Sequence, residues 1–251
     1  MEQRLRIAIQ SKGRLYDETI GLLTEAGVKM TSSKRTLLVP SRNFPVELLM
    51  LRDDDIPDAV ATGTADIGIV GLNEVLEKDK AVEVTAPLGF SRCRLSLAIP
   101  QHTDYPGLNW FNGRKIATSY PVILRKFLND NGINADIHVI TGSVEIAPGI
   151  GLADAIFDIV SSGSTLVSNN LVEVEKVIES EAVLIQATGR IMPDIKCKIL
   201  EELLFRFDAV KAADDKKYVL MNVPADKVDE VLAVLPGIKS PTVLPLADPN
   251  W

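Results

Sequence analysis

Residues 158–166 read DIVSSGSTL. Asp158 stands near the end of an apolar run, and Ser161, Ser162, Gly163, Ser164 and Thr165 follow it in the spacing D-x-x-[ST]-[ST]-G-x-T-L. Consecutive backbone N–H groups, a glycine that permits close approach and several hydroxyls can surround a phosphate dianion, helped by the positive end of a following helix. An acid at the strand end suits the vicinal hydroxyls of a ribose. The same residues also fit an ordinary strand-to-helix turn with a Ser or Thr N-cap. The spacing alone leaves cradle and cap both open.

Other strand ends carry charge. Ser11-Lys12-Gly13-Arg14 follows the run LRIAIQ, where phosphate-binding turns of α/β folds occur. Lys12 and Arg14 beside a helix start could hold a triphosphate or pyrophosphate, or could be two solvated side chains. Arg52 precedes Asp53, Asp54 and Asp55; three adjacent acids could bind a divalent cation, but helix capping is the simpler reading, and Arg52 is free to face a cleft. Arg92 and Arg94 bracket Cys93 and could reach an anion from the side opposite Lys12, although Arg94 could equally form a hinge salt bridge. Tyr120 lies in a Ser-Tyr-Pro turn. Glu145 follows Gly142-Ser143-Val144 and could touch a ribose hydroxyl or a metal-bound water, or be a helix-start carboxylate. The two cysteines, Cys93 and Cys197, and the two histidines, His102 and His138, are isolated from one another, so no disulfide framework, zinc site or Cys-His or Ser-His-Asp apparatus is suggested.

These residues need a scaffold that gathers strand ends. Apolar runs at 5–10, 37–39, 46–51, 66–70, 94–99, 115–118, 136–140 and 155–160, with one more strand inside 175–186, alternate with helical stretches at 15–26, 56–62, 73–77 and 122–131. That alternation predicts α/β layering with a largely parallel sheet. Asp53 to Asp55 read as capping acids, with Pro57 in the first turn behind them. Ile195, Ile199, Leu203 and Phe207 form a helical stripe within 194–212 that should pack on a core. Gly63-Thr64-Ala65-Asp66 before one apolar strand is echoed by Gly151-Leu152-Ala153-Asp154 before another. The echo favours two similar lobes with a cleft where the strand C-termini face each other. From Lys216 onward, a strand at 218–223, a helix at 226–235 and a strand at 242–246 would make half of a ferredoxin-like module.

Composition narrows the partners. Hydrophobic residues at 46% and charged residues at 24% are ordinary for a soluble globular chain, and a net charge of −7 argues against nucleic acid or an anionic membrane as partner. No apolar run approaches the roughly 18 residues needed to span a bilayer, and MEQRLRIAIQ lacks the apolar core of a signal peptide, so a cytoplasmic location is expected.

Taken together, RIAIQSKGRL, RDDDIP, ADIGIVG, SRCRLSLAIP, KIATSYP, GSVEIAP and GLADAIFDIVSSGSTL resemble the blocks of the ATP phosphoribosyltransferase family, in that family's order over about residues 4 to 190. The segment from Lys216 is similar to the start of the regulatory domain of the family's long form. The loop also imitates that of the common phosphoribosyltransferases, which usually have two adjacent acids where Phe157-Asp158 offers one. The resemblance implies an α/β fold with two lobes of the type II periplasmic-binding-protein kind, lobe I from residues 1–90 plus 186–213, lobe II from 91–185, and a partial ferredoxin-like β-α-β regulatory segment at 214–251. It implies transfer of phosphoribose from phosphoribosyl pyrophosphate to N1 of the adenine of ATP, with Mg²⁺ and release of pyrophosphate, opening histidine biosynthesis. Ser161–Thr165 would then hold the ribose 5-phosphate, and Asp158, with Asp154 or Glu145, the ribose hydroxyls. Lys12, Arg14, Arg52, Arg92 and Arg94 would be the cations for the phosphates of both substrates, with Tyr120 near the cleft. The resemblance names no Mg²⁺ ligands. It implies a homo-oligomer, dimer or hexamer; histidine feedback belongs to a full β-α-β-β-α-β module, of which half is read here. A non-catalytic two-lobed nucleotide- or anion-binding protein is the competing reading, because fold does not fix activity.

Overall fold

The computed structural model describes residues 4–31, 36–214, 216–235, 241–248 and 250. The chain runs through β1 (Leu5–Gln10), α1 (Arg14–Glu25), β2 (Leu38–Pro40), β3 (Val46–Leu51), α2 (Ile56–Ala61), β4 (Ile67–Gly71), α3 (Leu72–Lys78) and β5 (Val82–Pro87). It continues through β6 (Cys93–Pro100), β7 (Lys115–Thr118), α4 (Pro121–Asp130), β8 (Asp136–Val139), β9 (Ala155–Val160), α5 (Ser164–Ser168), β10 (Leu171–Ser180), β11 (Ala182–Ala187), α6 (Asp194–Asp214) and α7 (Val228–Val234). The strands form two sheets, ordered β2-β3-β1-β4-β11-β5 and β10-β6-β9-β7-β8.

Both sheets are mixed, whereas the alternation of elements predicts largely parallel pairing. The parallel pairs are β1 with β3 and β4, and β7 with β8 and β9. The strands that carry the chain between sheets, β5, β6, β10 and β11, pair antiparallel. The physical reason is the route: the chain leaves the first sheet by β5–β6 and returns by β10–β11, so outgoing and returning strands lie side by side in opposite directions. Only residues 88–92 and Glu181 separate the paired strands of one sheet from those of the other. The returning stretch is two strands rather than one, and β11 lies wholly in the first sheet although it spans position 185/186.

Strand sequence and burial agree where a sheet is covered on both faces. The β4 run IGIVG and the β1 run LRIAIQ are almost wholly buried, as central strands between helical layers must be. One core joins Leu5, Ile7, Ile9 and Ile67 to α1 and to Ile199, Leu200, Leu203 and Phe207 of α6; a second gathers Leu95, Leu97, Phe111, Ile116, Leu124 and Phe157. The α6 stripe therefore packs as expected except at its first member, Ile195, which is 50% exposed. Asp53–Asp55 form a 3-10 turn before α2, and none of them makes a side-chain cap bond; Asp54 faces Lys78 at 3.5 Å instead.

Residues 212–251 form a separate compact unit. Helix α7 is present, but no ladder forms at 216–224 or 241–246, where two strands were expected. An apolar run supplies side chains for a sheet, yet a strand exists only against a partner. Part of the expected unit, 236–240, lies outside the described residues.

Candidate functional site

The C-terminal ends of β1 and β9 approach each other through their exit turns. Gly13 adopts φ 95°, in the left-handed region that favours glycine, and turns the chain into α1 so that Arg14 is its first residue. From there the Arg14 guanidinium donates to Ser161 Oγ at 2.9 Å and to the Arg92 carbonyl at 3.3 Å, and pairs with Glu18 at 3.3 Å. One side chain of the first sheet thus touches both the serine loop and the crossing segment. Lys12 and Arg52 are exposed at neighbouring strand ends, with no ion-pair partner among the described residues. Arg92 is 77% exposed and sits 3.7 Å from Glu181 across the two crossings.

The loop 161–165 is open, with Ser161, Ser162, Ser164 and Thr165 exposed. Gly163 at φ 82° reverses the backbone before the short α5, and Ser162 Oγ lies 2.9 Å from Ser164 Oγ. The capping position Gly163 has no side chain to cap α5, and Ser162 Oγ accepts the Ser164 N–H at a long 3.4 Å, leaving the Ser161 and Thr165 hydroxyls free of the helix start. Arg94 underpins the loop. It forms a fork with Glu173 of β10, Nε to Oε1 at 2.6 Å, and donates to the Ser161 carbonyl at 3.2 Å. Hydrogen bonding from Arg94 holds Glu173 below the usual carboxylate range. The fork ties β6 to β10, so Arg94 is the salt bridge that one of its two readings anticipated.

Asp158 and Glu145 are brought together. Burial lifts the Asp158 carboxyl to about 6, the Glu145 charge adds to the rise, and the hydrogen bond from the Ile159 N–H opposes it. Glu145 lies in the 3-10 turn Val144–Ile146, entered through Ser143 in the left-handed region. Asp154 is not with them. It precedes β9, at the end remote from the loop, and its Oδ2 accepts the Lys115 N–H at 2.8 Å while its own N–H donates to the Lys115 carbonyl. Six strand residues separate it from Ser161, about 20 Å. A role at the ribose hydroxyls is corrected for this residue: it clamps β9 to β7.

Tyr120 lies at the turn into α4, buried, against α3 of the first lobe. Asn73 Nδ2 reaches the Tyr120 hydroxyl at 3.4 Å and Glu74 Oε1 at 3.0 Å, and Asn73 exchanges two bonds with Ser180, N–H to Oγ at 3.0 Å and Oγ to Oδ1 at 2.8 Å. Glu77 accepts the N–H groups of Val122 and Ile123 at 3.0 Å each. Burial drives the Glu74 carboxyl up to about 7, Asp53 and Asp54 raising it further and Tyr120 and Lys78 pulling it back. Burial, then the charges of Glu74 and Asp158, also raise the Tyr120 phenol.

The comparisons with known proteins decide the family. A family model for ATP phosphoribosyltransferase matches residues 52–209, and one for the HisG C-terminal domain matches 213–251. The ATP phosphoribosyltransferase of Bacteroides thetaiotaomicron is 67% identical over 98% of this chain and 87% of its own length. This chain belongs to the ATP phosphoribosyltransferase family. That of Cytophaga hutchinsonii is 53% identical over 100% of this chain and 87% of its own. The solved ATP phosphoribosyl transferase (HisG:HisZ) complex from Thermotoga maritima superposes with a TM-score of 0.69 at 28% identity, covering 82% of this chain and 99% of that one. The substrate-binding protein of an amino acid ABC transporter, at 12% identity and TM-score 0.55 over 83% of this chain and 93% of that one, shares the two-lobed fold alone.

In this ATP phosphoribosyltransferase family member, Arg14, Arg92, Arg94 and Ser161 meet directly, Asp158 and Glu145 are neighbours, and Tyr120 joins the α3 cluster. Motif and spacing do not point to Asn73, Glu74, Glu77 and Ser180. The available signal is LNEVLEK itself, where three polar residues at i, i+1 and i+4 share one face. Among the described residues no group of three or more His, Cys, Asp or Glu side chains is arranged to hold a metal ion. Glu145 and Asp158 feel each other's charge, and carboxylates in ones and twos are the donors that would hold a Mg²⁺ ion carried largely by substrate phosphates and water rather than a protein cage.

Proposed function

We propose that the cleft joins N1 of the adenine of ATP to C1 of the ribose of phosphoribosyl pyrophosphate, releasing pyrophosphate as the first step of histidine biosynthesis. The observation that carries the reading is the bridge from Arg14 to Ser161: a cation on one lobe's exit turn meets the hydroxyl loop of the other. Ser161–Thr165 take the ribose 5-phosphate, and Asp158 and Glu145 its hydroxyls. Lys12, Arg14, Arg52 and Arg92 serve the phosphates of both substrates, Arg94 supports the loop from below, and Tyr120 borders the cleft.

The chemistry asks for placement more than for a protein nucleophile. The N1 lone pair forms the new bond, the C1–oxygen bond breaks, pyrophosphate departs with the electron pair, and the adenine releases a proton from its amino group. Positive charge grows on the ribose and negative charge on the leaving group, so fixed cations beside the pyrophosphate and a fixed ribose lower the barrier. Mg²⁺, when bound, shields the charge of the leaving pyrophosphate. Meeting lobes exclude water that would hydrolyse the activated ribose.

The same reading carries a cytoplasmic location and a homo-oligomer, dimer or hexamer; no described helix is long and apolar enough to cross a membrane. Support for assembly comes from the C-terminal unit, where Tyr218 and Leu220 are 91% and 83% exposed. With Val219 and Met221 they expose a contiguous apolar stretch, the kind of surface that marks an interaction site. Histidine inhibition is not assigned to this chain.

The test mixes the protein with ATP, phosphoribosyl pyrophosphate and Mg²⁺, adds pyrophosphatase to draw the equilibrium forward, and follows ultraviolet absorbance of the modified adenine. A steady rise dependent on both substrates is expected. No signal from folded protein would sink the transferase in favour of a two-lobed binder.

A further inference from the structure

Helix α3 buries a polar face in addition to the apolar one that Leu72 and Val75 pack against the core around Ile56 and Val60. Asn73, Glu74 and Glu77 are 5%, 6% and 8% exposed, whereas Leu76 on the same helix is 45% exposed. An amphipathic helix normally leaves its polar face to solvent, and polar groups tolerate burial only when hydrogen-bonded. Here the partners lie largely across the cleft. Glu77 takes two of the N–H groups that the first turn of α4 leaves without an intrahelical partner, from the Val122 and Ile123 backbone. Asn73 holds Ser180 at the end of β10 and the Tyr120 hydroxyl. The covalent links between the lobes are only two short crossings, residues 88–92 and Glu181. This buried polar face starts beside one crossing, where Asn73 holds Ser180 and the Leu72 N–H donates to the Glu181 carbonyl, and at Glu77 it reaches a turn further along α3 to a contact with α4.

We propose that Glu77, supported by Asn73, is a positioning residue that latches the two lobes together before substrate arrives. With the latch made, the Arg14 side and the serine-loop side of the cleft are held at their working separation, and Tyr120 is fixed between Glu74 and the Asp158 side. Without it, the lobes separate about the crossings, water takes over the freed α4 N–H groups, and each substrate must first select the closed state. Apparent affinity then falls in proportion to the closed fraction, while the saturated complex, once closed, turns over as before. The kinetic part of this inference rests on the transferase reading; the geometric part does not.

The experiment compares the full chain with Glu77→Ala and Glu77→Gln. Spin labels at exposed Glu25 of α1 and Lys126 of α4, with Cys93 and Cys197 replaced by serine, report the distance between lobes. In the ligand-free protein, Glu77→Ala should lengthen and broaden that distance, and saturating phosphoribosyl pyrophosphate should restore it. KM for that substrate should rise about tenfold with kcat within about twofold, and Glu77→Gln, which keeps one carbonyl acceptor, should recover most of both. An unchanged distance in ligand-free Glu77→Ala overturns the latch, and so does a fall in kcat at unchanged KM. If Glu77→Ala does not fold, Asn73→Ala is read by the same two criteria. A wild-type chain with no transferase activity defeats the proposed reaction while leaving the distance measurement to judge the latch.

Discussion

Asp66 and Asp154 occupy matching corners of the two lobes and make the same bond. Each follows a left-handed glycine, Gly63 at φ 77° or Gly151 at φ 73°, and each accepts a backbone N–H near the start of a neighbouring parallel strand at 2.8 Å, Arg6 for Asp66 and Lys115 for Asp154. Each also returns its own N–H to that residue's carbonyl. The GxAD echo is therefore a corner clamp that sets register between two parallel strands. What differs is the cover. Lys196 of α6 reaches Asp66 at 2.6 Å, and the Arg190 guanidinium fills the space where a Gly63 side chain would stand. Asp154 is exposed beside a cavity of about 420 Å³ lined in part by Trp110, Arg114 and Lys115, and no described atom lies within 4 Å of where a Gly151 side chain would stand. The chain returns to the first lobe and seals its corner. Among the described residues no side-chain bond or ion pair to Asp154 comes from the chain after β11, so the same four residues there do one job instead of two.

The largest expected effect is at the sealed corner. Asp66→Ala removes a charge-assisted bond to backbone and a partly buried ion pair together, and should cost about 3 kcal/mol in urea unfolding. Lys196→Met should lose a smaller part of that, because the backbone clamp survives. Next comes the loop that belongs to the second lobe alone. Ser162→Ala combined with Thr165→Val should raise KM for phosphoribosyl pyrophosphate about thirtyfold, roughly 2 kcal/mol, with KM for ATP moved less than threefold. Equal losses for both substrates would assign the loop to the wrong one. Asp154→Ala should cost about 1 kcal/mol of stability, from the single clamp, and leave KM for phosphoribosyl pyrophosphate unchanged. A tenfold rise in that KM would return Asp154 to the ribose and break the comparison; a stability loss as large as that at Asp66 would remove the difference in cover.

The same two corners mark how far the amino-acid order alone is legible. Strands β1, β4 and β9 stand out because burial on both faces demands continuous apolar runs, and the glycine- or serine-bearing turns after them stand out because a strand end must be turned. Strand β5 does not, since VEVTAP at the sheet edge is mostly exposed and carries no such run. The GxAD echo is visible as a repeat, but an aspartate just before a buried strand looks the same whether it binds a ligand or a backbone N–H. Helix α3 is visible too, and its buried side is not, because Asn73, Glu74 and Glu77 face a partner contributed by the other lobe. The two C-terminal strands read from apolar composition have no ladder among the described residues, since composition does not supply a neighbour.

The smallest effect belongs to Asp158, at the end of β9 opposite the Asp154 clamp. Burial and the Glu145 charge raise Asp158 from an ordinary value of 3.8 to about 6 in the folded protein. The folded state therefore holds that proton more tightly than the unfolded chain does, and its stability is reduced as pH rises from about 4 to 6, with the full reduction present above 6. A two-unit shift corresponds to about 3 kcal/mol, and solvent reaching this partly exposed side chain brings the expected figure nearer to about 1 kcal/mol. Asp158→Asn removes the charge and keeps an acceptor for the Ile159 N–H. Its stability relative to wild type should climb by about 1 kcal/mol between pH 4 and pH 7 and stay flat above. A stability for Asp158→Asn that tracks wild type across that window would mean that burial and the Glu145 charge do not raise Asp158 as its place at the loop end of β9 requires.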